Sequence, residues 1–156
     1  MNIRTNTFDL WVFHRGDGVP KYLLLYTSQE KANKWFAGGR FWQIPCAESK
    51  EGQAVVEALR KCLADFRLTP KSLWAVEHTY TIYNRRRDDL EIIPVFAAEV
   101  DHESTVPLSW EWSESGWFNV GECERLLTFR GLREGLYWTR QYITEKEQPV
   151  AEFRLL

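Results

Sequence analysis

Cysteine is scarce in this chain, and the placement of its three residues excludes a structure held together by sulfur. Cys46, Cys62 and Cys123 are odd in number, widely spaced and form no CxxC pair. A disulfide framework or a structural zinc site needs cysteines in sets at characteristic spacing. The sequence therefore predicts free thiols in a reducing compartment, the cytoplasm.

Long apolar runs and an excess of positive charge are also missing. No segment approaches the ~20 apolar residues of a membrane span, and the N-terminal residues lack the apolar core of a signal peptide. The 20 basic residues are outnumbered by 22 acidic ones, which gives a formal charge of −2. We therefore expect neither a membrane nor a nucleic-acid polymer as a partner.

Aromatic residues, in contrast, are plentiful, with 8 tryptophans in an aromatic content of 15%. Such side chains serve a core, or they stack on a flat ligand such as a base. Composition leaves both roles open. The 156 residues have the length of one domain, so we predict a single domain over residues 1–156.

Hydrophobic spacing predicts the main elements. The clearest helix signal covers residues 51–67, where Val55, Leu59 and Cys62 recur at helical spacing. Ser49, just before this segment, is the predicted N-cap. Segments rich in β-branched and aromatic residues predict strands at 8–15, 22–27, 41–45, 73–84, 91–100 and 117–120. Further helices are predicted at 121–127 and 132–145, and loops at 28–40 and 101–116. Pro94 indicates an edge strand or a bulge. This order predicts an α+β fold, an α/β/α sandwich with a mixed β-sheet between helices.

Short motifs with established chemistry are absent: there is no glycine-rich phosphate loop, no HExxH and no GxSxG. One charged run stands out, Arg85-Arg86-Arg87 followed by Asp88 and Asp89. Guanidinium groups bind phosphate through paired hydrogen bonds. The same run also suits a solvated hairpin tip, neutralised by the two neighbouring aspartates. Both interpretations stay open.

Three segments resemble the Nudix hydrolase family, in particular its bacterial nucleoside-triphosphate pyrophosphohydrolases. Residues 41–66 look like the Nudix box with its upstream strand. Residues 116–127 resemble the family's tryptophan-containing late strand and short helix, and residues 132–143 its terminal helix. The resemblance spans nearly the whole chain and implies the Nudix fold.

The box itself, GX5EX7REUXEEXGU with U aliphatic, is eroded. Only Leu63 matches outright. The other specified positions hold Ala47, Gln53, Lys61, Cys62, Asp65, Phe66, Leu68 and Thr69. A register shorter by one residue places Lys61, Ala64 and Asp65 at the three metal-ligand positions. Either register leaves Asp65 as the only carboxylate there.

In the family, the helix glutamates bind Mg²⁺, which bridges the pyrophosphate of the substrate and activates water. Cysteine is a poor Mg²⁺ ligand and phenylalanine is none. The resemblance therefore implies Mg²⁺ or Mn²⁺ only if Asp65 is joined by acids outside the box, for which Glu48 and Glu114 are the candidates. These three are also the candidate catalytic residues. The alternative is that they are solvated surface acids. A hydrogen bond between Gln53 and Lys61 is expected to replace the family's Glu–Arg pair.

Candidate substrate contacts are Arg40 for phosphate and Trp42, Tyr80 and Phe96 for stacking on a base. Burial in the sheet is an equally natural role for the three aromatic residues. Two functions follow: a metal-dependent hydrolase of nucleoside diphosphate-linked compounds with weakened or lost standard catalysis, or a non-catalytic module that binds a nucleotide-like small molecule or a protein. A homodimer is left open.

Overall fold

The computed structural model describes residues 1–156. Its centre is a mixed sheet of eight strands. The strands are β1 Asn2–Arg4, β2 Thr7–His14, β3 Lys21–Thr27, β4 Trp42–Gln43, β5 Cys46–Glu48, β6 Ser72–Asn84, β7 Asp89–Glu99 and β8 Trp112–Phe118. The helices are α1 Gln29–Trp35, α2 Val55–Asp65, α3 Val120–Leu126 and α4 Arg130–Thr139. No helix is long and apolar enough to cross a membrane.

Strand β7 lies inside the sheet. It runs parallel to β1 and β2 along one edge and antiparallel to β6 along the other. Strand β2 pairs antiparallel with both β3 and β5, and β3 pairs antiparallel with β4 and β8. The predicted α+β architecture is therefore confirmed.

Alternation along β2 explains why both faces of the sheet are covered. Phe8, Leu10 and Val12 join the apolar cluster under α2, whereas Trp11 and Phe13 join the cluster under α3 and α4. Removing one such side chain from water stabilises the fold by about 1.5–3 kcal/mol. The strand therefore anchors both helical layers.

Helix α2 was predicted over residues 51–67 but begins at Val55. Its N-cap is Ala54, which makes no side-chain bond, so the predicted cap at Ser49 is wrong. The chain turns before the helix, with Gly52 at φ +75°. That left-handed conformation favours glycine and delays the helix start.

Two predicted loops contain regular structure. Residues 29–35 form α1, which Ser28 caps by accepting a hydrogen bond from the Lys31 backbone N at 3.0 Å. Strand β8 begins at Trp112, earlier than the predicted residue 117, because its backbone pairs with β3. Tertiary pairing here decides the conformation of a polar segment.

Pro94 marks a bulge, as predicted, but not an edge. The β6–β7 register shifts between Ala75 and Thr79, and Glu77 has φ +40° in that interval. Thr79 is the residue opposite Pro94. The irregularity thus falls on β6, and the proline itself stands on an interior strand.

The last long helix also differs from its prediction at 132–145. Helix α4 starts at Arg130 and gives way to a π-helical turn over Arg140–Thr144. Arg15 donates hydrogen bonds to the Thr144 and Ile143 carbonyls, at 2.7 and 3.2 Å. The carbonyls at the end of the turn are therefore satisfied by a side chain from another part of the chain.

Candidate functional site

A buried acid lies at the start of β2. Asp9 is 5% exposed, and its carboxylate accepts a hydrogen bond of 2.5 Å from the Tyr80 hydroxyl. It has no basic side chain within 4.0 Å. Burial raises the pKa of Asp9 to about 6, and the Tyr80 hydrogen bond opposes that rise. An acid with such a pKa is suited to exchange a proton, or a hydrogen bond, with a ligand near neutral pH.

Cys46 is the cross-strand partner of Asp9 on β5. It is exposed to solvent, yet desolvation by the surrounding protein raises the pKa of its thiol. The negative charge of Asp9 raises that pKa further, and the positive charge of Lys31 lowers it. Cys46 thus places a solvent-accessible side chain beside the buried Asp9, which Tyr80 contacts from β6. We call the region around Asp9, Cys46 and Tyr80 the cleft.

Lys31 lies on α1, and 8% of its side chain is exposed. Its ammonium group lies 3.8 Å from the centre of the Trp112 ring and 3.3 Å from a carboxylate oxygen of Glu111. Burial lowers the pKa of Lys31, and Glu111 opposes that change. The ion pair and the indole together keep a largely desolvated cation in place.

Two further cationic side chains pack against the ring of Trp35, at the end of α1. The Arg86 guanidinium lies 4.6 Å from the centre of its ring, and the Lys34 ammonium lies 5.5 Å from it. Trp110 packs edge-on against the same ring at 5.3 Å. Arg86 is the middle residue of the arginine run, at the tip of the β6–β7 hairpin. The hairpin tip and α1 therefore meet over Trp35.

A second group of aromatic side chains lies between α1 and the start of α4. Phe36 packs against Phe41 at 5.9 Å, and Phe41 packs against Phe129 at 4.7 Å. Close to Phe129 in the chain, Gly131 of α4 touches the ring of Tyr80 so closely that no Cβ would fit.

The structure does not assemble the predicted carboxylate site. Asp65 is 63% exposed and pairs with Lys61 at 3.1 Å. Glu48 is 61% exposed, accepts a hydrogen bond from Asn6 and lies near Arg4. Glu114 is exposed on β8, opposite Tyr26. No three or more His, Cys, Asp or Glu side chains lie close enough to hold a metal ion together.

The remaining box positions do not offer Mg²⁺ ligands. Cys62 is 8% exposed, and its thiol points at the Cys46 carbonyl oxygen, 3.7 Å away. Phe66 packs against the apolar cluster under α2. Burial raises the pKa of Cys62 to about 12, which keeps it a neutral thiol. Mg²⁺ requires hard oxygen ligands, so this face of α2 does not fit the ion.

The predicted hydrogen bond between Gln53 and Lys61 is wrong. The Gln53 side-chain oxygen accepts from the Lys50 backbone N at 3.0 Å, and Lys61 turns to Asp65. A glutamine close to a turn finds a backbone donor within its own loop, and a helical lysine finds the acid four residues later.

The predicted stacking residues do not form one surface. Tyr80 and Trp42 pack against the apolar cluster under α3 and α4, whereas Phe96 packs against the one under α2. Phe96 meets Phe8 edge-on at 5.8 Å, which is a core contact. Arg40 lies over the Tyr26 ring at 4.6 Å and donates hydrogen bonds to Thr27 O and Ser113 Oγ. Of the four, Tyr80 is the residue in the cleft.

The sequence did not predict a role for Asp9, Lys31 or Trp35. Asp9 reads as a solvent-facing residue of an alternating strand, and only its partner across the sheet reveals its burial. For α1, a signal was present: Ser28 precedes a helix-forming segment, as an N-cap does. Arg86 belonged to a recognised run, whose middle residue alone contacts Trp35.

The fold has many relatives among solved structures. A NUDIX hydrolase from Listeria monocytogenes superposes with a TM-score of 0.74 at 14% identity, covering 94% of this chain and 99% of that one. The Ap4A hydrolase of C. elegans gives 0.68 at 14% identity, with coverage of 94% and 100%. The NUDIX domain of Shewanella oneidensis NrtR, complexed with ADP ribose, gives 0.67 at 17% identity, with coverage of 90% and 87%.

Comparison by sequence gives no match. No family model matches the chain, and no curated protein does. The structural likeness, at identities of 14% to 17%, establishes the fold alone. The chain therefore has the Nudix fold, which confirms at that level the resemblance seen in its sequence.

Proposed function

We propose that this Nudix-fold chain binds a nucleoside diphosphate-linked small molecule in the cleft and lacks the standard carboxylate–metal hydrolysis of its structural relatives. The observation that carries this proposal is that Cys62 and Phe66 stand at two glutamate positions of the box. Both side chains pack inward, and the neighbouring Asp65 forms an ion pair with Lys61.

Three features support a nucleotide-like ligand. A buried acid without a basic partner, Asp9, lies in the cleft, and Lys31 and Arg86 provide cations beside it in the fold. Trp112 and Trp35 pack against these two cations, and such aromatic rings suit a flat base. A structural relative, the NrtR NUDIX domain, is complexed with ADP ribose.

Each group can make a specific kind of contact with the ligand. Asp9 accepts a hydrogen bond from an amino or hydroxyl group of the ligand when ionised, and donates one when protonated. Tyr80 holds the Asp9 carboxyl in place from β6. The cations on α1 and on the hairpin attract negative charge. These roles are binding roles, and none requires bond cleavage.

The second candidate function is metal-dependent hydrolysis. It is favoured by the fold, which is shared over nearly the whole chain with proteins described as hydrolases. In that case Asp65 would need ligands such as Glu48 and Glu114 brought together by substrate. A cytoplasmic location, a single domain over residues 1–156 and a homodimer stay predictions.

One experiment separates the two functions. Binding of ADP-ribose, ADP and NTPs is measured by calorimetry and thermal shift, in EDTA and then in millimolar Mg²⁺ or Mn²⁺. Phosphate and pyrophosphate release from the same compounds, and from dinucleoside polyphosphates, is followed in parallel. We expect at least one compound to bind in EDTA and to raise the melting temperature, without turnover.

The control pair is Asp65→Asn and Glu57→Gln, both on exposed positions of α2. Turnover that needs metal and is lost in Asp65→Asn alone would establish the hydrolase and refute the binding module. Folded protein that neither binds nor cleaves any compound would refute both.

A further inference from the structure

We propose that Lys31, Lys34 and Arg86, gathered around Trp35, bind the phosphate groups of the ligand and supply the positive charge that a metal ion supplies in the hydrolases. This inference rests on the proposed binding function and names the part of the site that recognises phosphate. We call these four residues the Trp35 cluster.

Three cations surround one indole. Their charged groups lie 4.6 Å (Arg86), 5.5 Å (Lys34) and 5.7 Å (Lys31) from the centre of the Trp35 ring. Each distance is within the range of a cation–π interaction. The ring attracts the cations individually, but their like charges repel one another. The free protein therefore holds an arrangement that an anion stabilises.

Negative charge near the cluster is insufficient to balance it. Glu111 pairs with Lys31 at 3.3 Å, whereas Lys34 and Arg86 have no acidic partner within 4.0 Å. Within 4.0 Å, three positive charges thus meet one carboxylate, and Glu91 acts on Arg86 from farther away. The excess is local, and its size suits a phosphate or pyrophosphate group.

Position supports the same assignment. The positive charge of Lys31 lowers the pKa of Cys46, and that of Arg86 lowers the pKa of Lys31. Cys46, Lys31 and Arg86 are therefore close enough to act on one another electrostatically, and the charged end of the ligand is assigned to the Trp35 side of the cleft. Arginine adds planar geometry, because its guanidinium can stack on Trp35 and still donate hydrogen bonds to phosphate oxygens.

The arginine run provides matched controls. Arg85 and Arg87 flank Arg86 on the same exposed hairpin tip but make no cation–π contact with Trp35. The variants Arg86→Gln, Lys34→Gln and Arg85→Gln each remove one charge. If the cluster binds phosphate, the first two weaken binding and the third leaves it nearly unchanged.

Binding of ADP-ribose and of inorganic pyrophosphate is measured by calorimetry in EDTA. We expect Kd to rise about tenfold or more for Arg86→Gln and Lys34→Gln, which is the size of one charge-assisted hydrogen bond, and less than about twofold for Arg85→Gln. Circular dichroism and melting temperature confirm that the variants fold. Arg86→Lys restores charge without the planar stack, and we expect a Kd between those of wild type and Arg86→Gln.

The outcomes separate this inference from the proposed function. Binding by wild type that Arg86→Gln and Arg85→Gln weaken equally overturns the Trp35 cluster and leaves the binding function standing. Binding that requires Mg²⁺ also overturns it, because the cations are then insufficient. Tighter binding of a single-stranded oligonucleotide than of ADP-ribose, lost in Arg86→Gln, replaces the small ligand by a polymer and overturns it as well.

Discussion

The hydroxyl of Tyr80 donates a hydrogen bond to the carboxylate of Asp9, 71 residues earlier in the chain, and so connects β6 to the start of β2. Replacing Tyr80 by Phe leaves a buried carboxyl without its partner. We expect the free energy of unfolding to fall by about 1–3 kcal/mol. The pKa of Asp9 should rise further, because the hydrogen bond lowers it in the wild type. Urea unfolding and NMR titration of the carboxyl measure both.

The control for that variant is Tyr83→Phe. Tyr83 donates an equivalent hydrogen bond, of 2.8 Å, to Asp88, but at an exposed position. Its loss should change stability by less than about 0.5 kcal/mol. Equal losses in the two tyrosine variants would contradict the importance assigned to burial of Asp9.

The raised pKa of Asp9 also predicts how the stability of the fold depends on pH. Burial raises its pKa from 3.8 to about 6 in the folded chain, so between about pH 4 and pH 6 the folded state binds a proton that the unfolded state has lost. The contribution of Asp9 to stability therefore falls as pH rises through this window. Above it, the ionised group costs about 2–3 kcal/mol.

Asp9→Asn removes that cost. We expect the variant to unfold at higher urea concentration than wild type at pH 7.5, and the difference to shrink toward pH 4. Asp101→Asn, at an exposed position, provides the comparison. A difference between Asp9→Asn and wild type that is constant with pH would show that Asp9 does not titrate as described.

Gly131 tests the contact between α4 and Tyr80. A Cβ at this position would lie 2.2 Å from a ring carbon of Tyr80. We expect Gly131→Ala to lower stability by about 1–3 kcal/mol through overpacking. Gly121, at the corresponding second position of α3, meets nothing nearer than 3.5 Å. Gly121→Ala should be neutral or stabilising, since alanine is the better helix former.

The reactivity of the three cysteines tests whether a ligand binds in the cleft. Cys46 is exposed, whereas Cys62 and Cys123 are buried. We expect a thiol reagent to modify one cysteine per chain under native conditions and all three after unfolding. The reaction should be slow at pH 7, because desolvation by the surrounding protein and the negative charge of Asp9 raise the pKa of Cys46 and leave little thiolate. Protection by ADP-ribose would place the ligand in the cleft, and modification of Cys62 before Cys46 would contradict the geometry.

Removing the cap of α1 should weaken ligand binding from a distance. Ser28 accepts the Lys31 backbone hydrogen bond that starts the helix. Ser28→Ala should cost about 1 kcal/mol of stability and loosen the helix that carries Lys31, Lys34 and Trp35. We expect a higher Kd for pyrophosphate. Asn119→Ala removes the cap of α3, far from these residues in the chain, and should lower stability alone.

Much of the fold was predictable because its signals are local. The spacing of Val55 and Leu59 located α2, and β-rich segments located β2, β3, β6 and β7. The start of α2 was not predictable to the residue, because Gly52 turns the chain first. The start of strand β8 at Trp112 escaped prediction, because the polar residues before 117 become a strand only through pairing with β3.

The candidate site was harder to predict, for a physical reason. The erosion of the box could be predicted from residue types at known spacing. The Trp35 cluster, which we propose as the phosphate site, could not be predicted, since Trp35 and Arg86 lie far apart in sequence and meet only through the fold. Asp9 shows the same limit: its unusual pKa comes from what surrounds it, and no neighbour in sequence indicates that.

The central place of β7 bears on how the chain becomes folded during synthesis. Asp9 lies opposite Val95, so β2 has to wait for more than half of the chain to be made before its parallel neighbour exists. Closing so large a loop is entropically costly, and pairing between distant strands slows folding. The nascent N-terminal hairpin is therefore exposed on the ribosome with an unpaired edge, and refolding should be slower than for a helical protein of equal length.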